Sequence, residues 1–197
     1  MRVCFFGESF VNGFGDPTYQ GWVGRLCALA LAQGYSLTAY NCGVRRATSD
    51  LIHDHFLGEA ERRLPPEHKG GVVFSYGAND SRIEHDKPVV PFQRQMDNTR
   101  ALLIAATNRW PALMVGPPQP RDGHRDADAA VRSQGMKSIC GELGLPFFDT
   151  GAADLGPWYA EAAAGDGAHP GAGGYGALAG LLNSWSAWRN LLDQLRS

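Results

Sequence analysis

The chain has 197 residues, a formal net charge of −2 and no long run of like charges. This balance argues against nucleic acid as the main partner, because phosphate binding depends on clustered lysine and arginine. With 44% hydrophobic and 19% charged residues, the composition is that of a globular protein, and we expect a single domain over residues 1–197.

Short apolar runs alternate with stretches of helical periodicity along the chain. The runs that predict buried strands are 2–6, 36–41, 71–76, 112–116 and 145–148. Helices are predicted from about Trp22, over 51–63 with Ser49 or Asp50 as cap, over 91–108, over 127–143, and from near Gly171 to the end. This alternation favours parallel pairing and a three-layer α/β/α sandwich with a five-stranded sheet.

Membrane insertion and secretion are not predicted. No apolar stretch is long enough to cross a bilayer, and Gly7 and Glu8 interrupt the first apolar run too early for a secretory signal. The widely spaced cysteines, Cys4, Cys27, Cys42 and Cys140, include no C-x-x-C pair. Reduced, buried thiols are therefore favoured over two disulfides, and we expect a cytoplasmic protein.

A serine follows the first predicted strand directly. Ser9 stands after Gly7, which permits a sharp turn, at the sheet edge where open α/β folds form their sites. A serine is a weak nucleophile unless a base lies within hydrogen-bond reach and a third group orients that base. His169 can be the base, and Asp166, three residues earlier, can fix its tautomer. The alternative is that Ser9 is only a turn or capping serine.

The loops after the second and third strands offer donors for an oxyanion. Loops that follow parallel strands emerge at one edge of the sheet, so these loops can meet Ser9. Gly43 offers an unobstructed amide, Asn79 a side-chain NH2, and Ser9 its own N–H. The alternatives are that Gly43 is merely a strand-end glycine and that Asn79 is a structural turn residue.

Four segments together resemble the SGNH, or GDSL-type, hydrolases over nearly the whole chain. Residues 7–10 (GESF) stand where that family has a Gly-Asp-Ser run, and Gly43 stands at its second-block glycine. Residues 77–80 (GAND) match its Gly-x-Asn-Asp block without change, and Asp166 with His169 matches its final Asp-x-x-His block.

The resemblance implies serine-dependent hydrolysis of a small-molecule ester on a flavodoxin-like sheet. It implies a catalytic triad of Ser9, Asp166 and His169, an oxyanion hole of Ser9, Gly43 and Asn79, and neither metal nor organic cofactor. We expect short acyl chains. The alternatives on the same triad are a lysophospholipase, a thioesterase or a carbohydrate O-deacetylase, and a catalytically silent binding module is an alternative of another class.

Two features depart from the family pattern. Glu8 replaces the usual Asp and lengthens that side chain by one methylene. Arg45 and Arg46 occupy a segment that is often small and polar in the family, so they either hold an anionic substrate group or face solvent.

Other suggestive residues have simpler interpretations. His53 and His55 are two residues apart on a predicted helix and point to different sides, so we expect a solvated surface and no metal site there. Trp158 and Tyr159 precede the Asp166 loop. They either wall the substrate pocket or pack in the core.

Overall fold

The computed structural model describes residues 1–119 and 126–196. The strands are β1 (Arg2–Gly7), β2 (Thr38–Gly43), β3 (Gly70–Ser75), β4 (Ile83–Glu84), β5 (Lys87–Pro88), β6 (Ala112–Val115) and β7 (Phe147–Phe148). The helices are α1 (Ser9–Asn12), α2 (Gly21–Ala32), α3 (Ser49–Arg63), α4 (Phe92–Thr107), α5 (Asp126–Glu142), α6 (Gly156–Ala164), α7 (Ala172–Ser184) and α8 (Ser186–Arg196).

Five parallel strands form the central sheet in the order β2-β1-β3-β6-β7. Counting only these strands, the order is 2-1-3-4-5, which is the flavodoxin-like arrangement. The predicted fold class is confirmed, and all five predicted strands overlap observed ones. Because β1 and β3 lie in the middle, their carboxyl ends bring two of the predicted site loops side by side.

Apolar side chains cover both faces of the sheet. Side chains alternate along a strand, so Val3 and Phe5 of β1 pack toward α2, α7 and α8, where Trp22 and Trp188 are buried. Residues of the opposite parity join the cluster under α3, α4 and α5. Helices on both faces are what parallel strands with continuous hydrophobic runs require.

The prediction that all five strands are buried is wrong for β2. Its residues are exposed or half-buried, and Cys42 is only half-buried, whereas Cys4 on β1 is fully buried. The reason is position, because β2 is an edge strand that pairs only with β1. All four cysteines are free thiols.

The predicted C-terminal helix is two helices. Trp185 adopts an extended conformation between α7 and α8, with ψ of 122°. This break turns the axis so that Trp188 and Leu192 of α8 bury against the sheet.

The sequence analysis missed α1, α6 and the β4–β5 hairpin. The hairpin turns at His85 and Asp86, whose φ angles are 51° and 60°. Two successive positive φ values define a type I′ turn, which usually carries Asn or Gly, so the local sequence gave no signal. No helix within residues 1–119 and 126–196 is long and apolar enough to span a membrane.

Candidate active site

The turn after β1 presents Ser9. A side chain at Gly7 would not fit, because its Cβ would lie 2.0 Å from the carbonyl oxygen of Ser75 on the neighbouring strand. The glycine therefore lets β1 and β3 approach closely up to their ends. Ser9 is the first residue of α1 and is 6% exposed, with its side chain at the bottom of a surface cavity.

Ser9, His169 and Asp166 are brought together in one hydrogen-bonded row. The Nε2 of His169 lies 2.8 Å from the Oγ of Ser9, although the two residues are 160 positions apart in the chain. The Nδ1 of His169 lies 2.7 Å from Oδ2 of Asp166. Both distances are within the range for a nucleophile, its base and an orienting carboxylate.

Asp166 is held ionised by the turn that contains it. Its Oδ1 accepts the backbone N–H groups of Ala168, at 2.9 Å, and His169, at 2.8 Å. Slight burial alone would raise the pKa of Asp166, but these bonds and the His169 imidazole outweigh it and lower the pKa to about 2. The side chain is 51% exposed, so the hydrogen bonds, and not exclusion of water, fix this carboxylate.

The His169 loop packs against the segment that follows α1. The His169 ring packs edge-on against Phe14 and Phe10, with centroid distances of 4.8 and 5.4 Å. Gly15 touches the same loop, because a Cβ there would lie 3.1 Å from the Cβ of His169. The Tyr175 hydroxyl on α7 donates to the Phe14 carbonyl at 2.7 Å. These contacts hold the His169 loop against the segment that follows Ser9.

Helix α6, absent from the sequence prediction, supports the same loop from the other side. The Glu161 carboxylate accepts the N–H groups of Gly173, at 3.1 Å, and Gly174, at 2.7 Å. These donors belong to the first turn of α7, where unpaired N–H groups and the helix dipole favour an anion. Glu161 thereby anchors the residues that directly follow His169.

Glu8 is a buried carboxyl group beside the candidate nucleophile. It is 1% exposed and accepts the N–H groups of Ala78 and Asn79, both at 3.1 Å. Burial and the nearby Asp80 raise the pKa of Glu8 to about 8, against the opposing effect of these donors. Glu8 therefore ties the loop after β3 to the loop after β1.

The Asn79 side chain lines the cavity, but its amide hydrogens are engaged. Nδ2 donates to Glu8 Oε2 at 2.6 Å and to the Ala47 carbonyl at 3.0 Å. An NH2 group has two hydrogens, so Asn79 would have to release one of these partners to reach an oxyanion.

The structure does not bring Gly43 to the cavity. Its N–H donates to the Asn41 side chain at 3.0 Å, and a Cβ there would lie 2.2 Å from the Asn12 nitrogen. Gly43 lines a separate cavity beside Phe56. The glycine is needed because β2 packs closely against α1, and its amide is not available as the predicted oxyanion donor in this arrangement.

The sequence analysis considered only the side chain of Arg46. In the structure the backbone of this residue is also a candidate functional group. It lines the Ser9 cavity and has a φ of 67°, the left-handed region that non-glycine residues seldom occupy. Its backbone N–H has no hydrogen-bond partner within the described part of the chain. Nothing in the local sequence indicates this conformation, since arginine does not favour it.

Asp80, in the loop after β3, caps the N-terminus of α3. The prediction that Ser49 or Asp50 caps this helix is wrong, because the N-cap residue is Thr48 and makes no side-chain capping bond. The Asp80 carboxylate instead accepts the Ser49 N–H, at 3.1 Å, and the Ser49 hydroxyl. Burial raises the pKa of Asp80 to about 6.

The cavity above Ser9 has a volume of about 320 Å³. Trp158 and Tyr159 both line it. Trp158 is 1% exposed and packs edge-on against Phe10 and Tyr175, each at 5.1 Å. The two interpretations of Trp158 are therefore both correct, since it fills the core and closes one wall of the cavity.

No group of three or more potential metal-ligating side chains is close enough to hold an ion within residues 1–119 and 126–196. His53 and His55 lie on the surface of α3, and the His53 side chain is 40% exposed. His53 contacts its neighbour Asp54 at 3.4 Å, an exposed pair that contributes little to stability.

Comparisons with known proteins were made for the sequence and for the fold. A model of the GDSL-like lipase/acylhydrolase family matches residues 5–177. A search of curated proteins found no match.

Solved structures share the fold at low sequence identity. A lipase/acylhydrolase from Enterococcus faecalis has a TM-score of 0.74 and 17% identity, with 98% of this chain and 96% of that one covered. An acetylxylan esterase from Geobacillus stearothermophilus has a TM-score of 0.73 and 18% identity, with coverage of 97% and 93%. An α/β hydrolase from the Lake Arreo metagenome has a TM-score of 0.71 and 16% identity, with coverage of 100% and 96%.

Proposed function

The chain belongs to the GDSL-like lipase/acylhydrolase family and is a carboxylic ester hydrolase, and we propose that it acts through a Ser9-His169-Asp166 triad and an acyl-enzyme intermediate. The observation that carries this proposal is the row of contacts at 2.8 and 2.7 Å from Ser9 Oγ through the imidazole to Asp166. A row of this kind is what converts a serine into a nucleophile.

In the first half-reaction, Ser9 Oγ attacks the ester carbonyl while His169 Nε2 takes its proton. Asp166 holds the Nδ1–H tautomer and stabilises the imidazolium as it forms. His169 then gives the proton to the leaving alcohol, and the acyl group stays on Ser9. In the second half-reaction, His169 takes a proton from water, the hydroxide attacks the acyl carbonyl, and Ser9 is released with its proton restored.

The oxyanion would be held by backbone N–H groups of Ser9 and Arg46. Neither N–H has a hydrogen-bond partner in the described part of the chain, and both residues line the cavity. Loss of one such donor typically lowers turnover by about 10²–10³-fold. Asn79 becomes a third donor once the substrate displaces its bond to Ala47 or Glu8.

Short acyl groups fit this site best. The cavity of about 320 Å³ must hold both the acyl and the alcohol group near Ser9, and pockets of this size lie at the small end of ligand sites. An acetylxylan esterase is among the proteins that share the fold, which supports an acetyl or similar acyl group. Lysophospholipase, thioesterase and O-deacetylase activities remain alternatives on the same triad. The cytoplasmic location remains a prediction from cysteine usage.

Replacement of the nucleophile tests the proposal most directly. Ser9→Ala should lower kcat for p-nitrophenyl acetate by about 10⁴-fold or more, since triad members act as a unit. It should also abolish labelling by a fluorophosphonate. The matched control is Ser184→Ala, which alters an exposed serine on α7 and should leave both readouts unchanged.

Thermal unfolding of both variants should match that of the wild type. A folded Ser9→Ala variant that retains turnover, or that still reacts with the fluorophosphonate, would exclude the proposed mechanism. A wild type that never reacts with the probe would favour the binding module.

A further inference from the structure

The charged side chains that line the Ser9 cavity are mostly positive. Three arginines line it, namely Arg45, Arg46 and Arg82, and the only acid among its described lining residues is Glu8. Glu8 is 1% exposed and its carboxyl group faces the N–H donors of the neighbouring loop. Because burial raises the pKa of Glu8 to about 8, this acid carries little charge near neutral pH. Among the described residues, the wall that a substrate meets is therefore positively charged.

Arg45 is exposed yet fixed in place beside the triad. Its guanidinium carbon lies 3.8 Å from the centroid of the Phe14 ring, and that ring packs against His169 at 4.8 Å. The cation–π contact uses the guanidinium plane and leaves the N–H groups at its edge free. Arg45 makes no ion pair with any described residue. No described residue therefore compensates its charge, and the Phe14 and His169 rings lie between its guanidinium and Ser9.

Arg82 is the more enclosed cation. It directly precedes the β4–β5 hairpin, its side chain is 25% exposed, and one of its terminal nitrogens lies 2.8 Å from Oε1 of Glu84. Its Nε is buried and has no hydrogen-bond partner within residues 1–119 and 126–196. A buried donor without a partner is uncommon in folded proteins, so this N–H is available to an acceptor.

One carboxylate serves two of these arginines. The same Glu84 oxygen that contacts Arg82 also lies 3.5 Å from Arg46, in a pair that is mostly solvent-exposed. A single acid balances one charge, so the described part of the cavity wall keeps an excess of positive charge even when Glu84 is ionised.

We propose that the ester hydrolysed by this enzyme carries an anionic oxygen group, a carboxylate or phosphate, which Arg45 and Arg82 bind next to the scissile bond. The inference rests on the proposed function of Ser9 and specifies its substrate class. Guanidinium groups pair with such anions through parallel N–H bonds, which fix orientation as well as charge. The anion would lie on either the acyl or the alcohol group, and the experiment separates these two positions.

Two matched pairs of esters test the proposal. For the alcohol group, 4-acetoxybenzoate is compared with its neutral methyl ester. For the acyl group, p-nitrophenyl hydrogen adipate is compared with p-nitrophenyl heptanoate. The measured quantity is the ratio of kcat/KM for the anionic ester to that for the neutral ester. The intrinsic reactivities are the same for every variant, so a change in this ratio reports only the enzyme.

We expect Arg45→Gln and Arg82→Gln each to lower the ratio of one pair by about fivefold or more, mainly through KM, because each removes a charge-assisted hydrogen bond. The double variant should lower it further. Raising NaCl from about 0.05 M to about 0.5 M should reduce the wild-type ratio and leave that of the double variant unchanged. Arg45→Lys keeps the charge and should retain part of the preference.

The matched control is Arg100→Gln, which removes an equal charge from the exposed surface of α4, where Arg100 pairs with Glu142. It should leave both ratios within about twofold of the wild type. Ratios that are equally insensitive to Arg45→Gln, Arg82→Gln and Arg100→Gln would overturn the proposal while Ser9-dependent turnover stands. Absence of turnover with all four esters would refute the proposed function and this inference with it.

Discussion

Two carboxyl groups flank Ser9 and are held in opposite ways. Glu8 is 1% exposed, and burial raises its pKa to about 8. Asp166 has about half of its side chain in solvent, and hydrogen bonds lower its pKa to about 2. Each accepts two backbone N–H groups from a neighbouring turn, so the donors do not explain the difference. Burial explains most of it, because Glu8 loses nearly all of its hydration and Asp166 loses little. In addition, Glu8 faces the acid Asp80, whereas Asp166 faces the His169 imidazole.

Asp166 and Glu8 therefore have different tasks. Asp166 stays ionised beside His169, as stabilisation of an imidazolium requires. Glu8 joins two loops inside the protein, where its charge is costly and its hydrogen bonds fix the position of Asn79. The same substitution, carboxylate to amide, should therefore damage activity at one site and stability at the other.

The largest effect is expected for Asp166→Asn. An amide cannot stabilise the imidazolium, and it favours the wrong imidazole tautomer. We expect kcat to fall by about 10³–10⁴-fold, with little change in melting temperature because the side chain is exposed. Ester hydrolysis and thermal unfolding measure the two effects.

Asp154→Asn is the matched control for that substitution. Asp154 is another exposed loop aspartate, and it accepts one backbone N–H, from Gly156 at 3.2 Å. It should leave kcat unchanged. If both variants were equally active, Asp166 would have no part in the chemistry.

Glu8→Gln should act on stability. Both oxygens of Glu8 accept N–H donors, so either orientation of a glutamine amide turns its NH2 toward a donor. We expect the free energy of unfolding to fall by about 1–3 kcal/mol near pH 5. Denaturant unfolding measures this change, and Glu142→Gln on the surface of α5 should show none.

The pH dependence of the Glu8 effect has a definite sign. The pKa in the folded protein is raised from 4.5 to about 8, so the native state binds a proton that the unfolded chain has released. The stability from protonated Glu8 is full below the unfolded pKa and is lost as pH rises through about 8. The gap between wild type and Glu8→Gln should therefore narrow from about pH 5 to about pH 8 and stay constant above that. A gap that does not narrow with pH would mean that the pKa of Glu8 is not raised in the folded protein.

A smaller effect tests how the loop that carries Asp166 and His169 is positioned. Gly15 has a φ of 92°, and a Cβ there would lie 2.9 Å from the Pro170 carbonyl. Gly34 has a φ of 87° and nothing within 4 Å of its Cβ position. Both alanine variants should lose about 1 kcal/mol of stability from backbone strain. Only Gly15→Ala should also lower kcat, by about tenfold, because it displaces the loop that holds His169.

Equal loss of activity in the two variants would show that strain alone, and not contact with the His169 loop, controls the site. Intact activity in both would show that the loop tolerates a shift at Gly15. Melting temperatures of the two proteins separate the shared strain from the added contact at Gly15, because only a Cβ at Gly15 meets the Pro170 carbonyl.

The sequence predicted the scaffold well because its signals are local. The five strands appear as apolar runs separated by helical periodicity, and right-handed parallel connections then leave few possible arrangements. The same reasoning placed Ser9, Asn79 and His169 at one sheet edge, since loops after parallel strands share that edge. The wrong prediction for β2 shows the limit of this reasoning. An apolar run does not reveal whether other strands will pair with it on both edges.

The residues themselves determined that a serine, a histidine and an aspartate could meet, because the alternation of strands and helices predicts parallel strands with their loops at one edge, and Asp166 lies three residues before His169. Only the tertiary structure decided which N–H groups stay free: the Gly43 amide binds Asn41, the Asn79 side-chain amide binds Glu8 and Ala47, and the Arg46 amide has no partner among the described residues. The physical reason is that these bonds depend on groups tens of residues apart: Glu8 and Ala47 for Asn79, and for Gly43 the Val11 carbonyl that holds the Asn41 side chain. Periodicity and turn chemistry depend on neighbours.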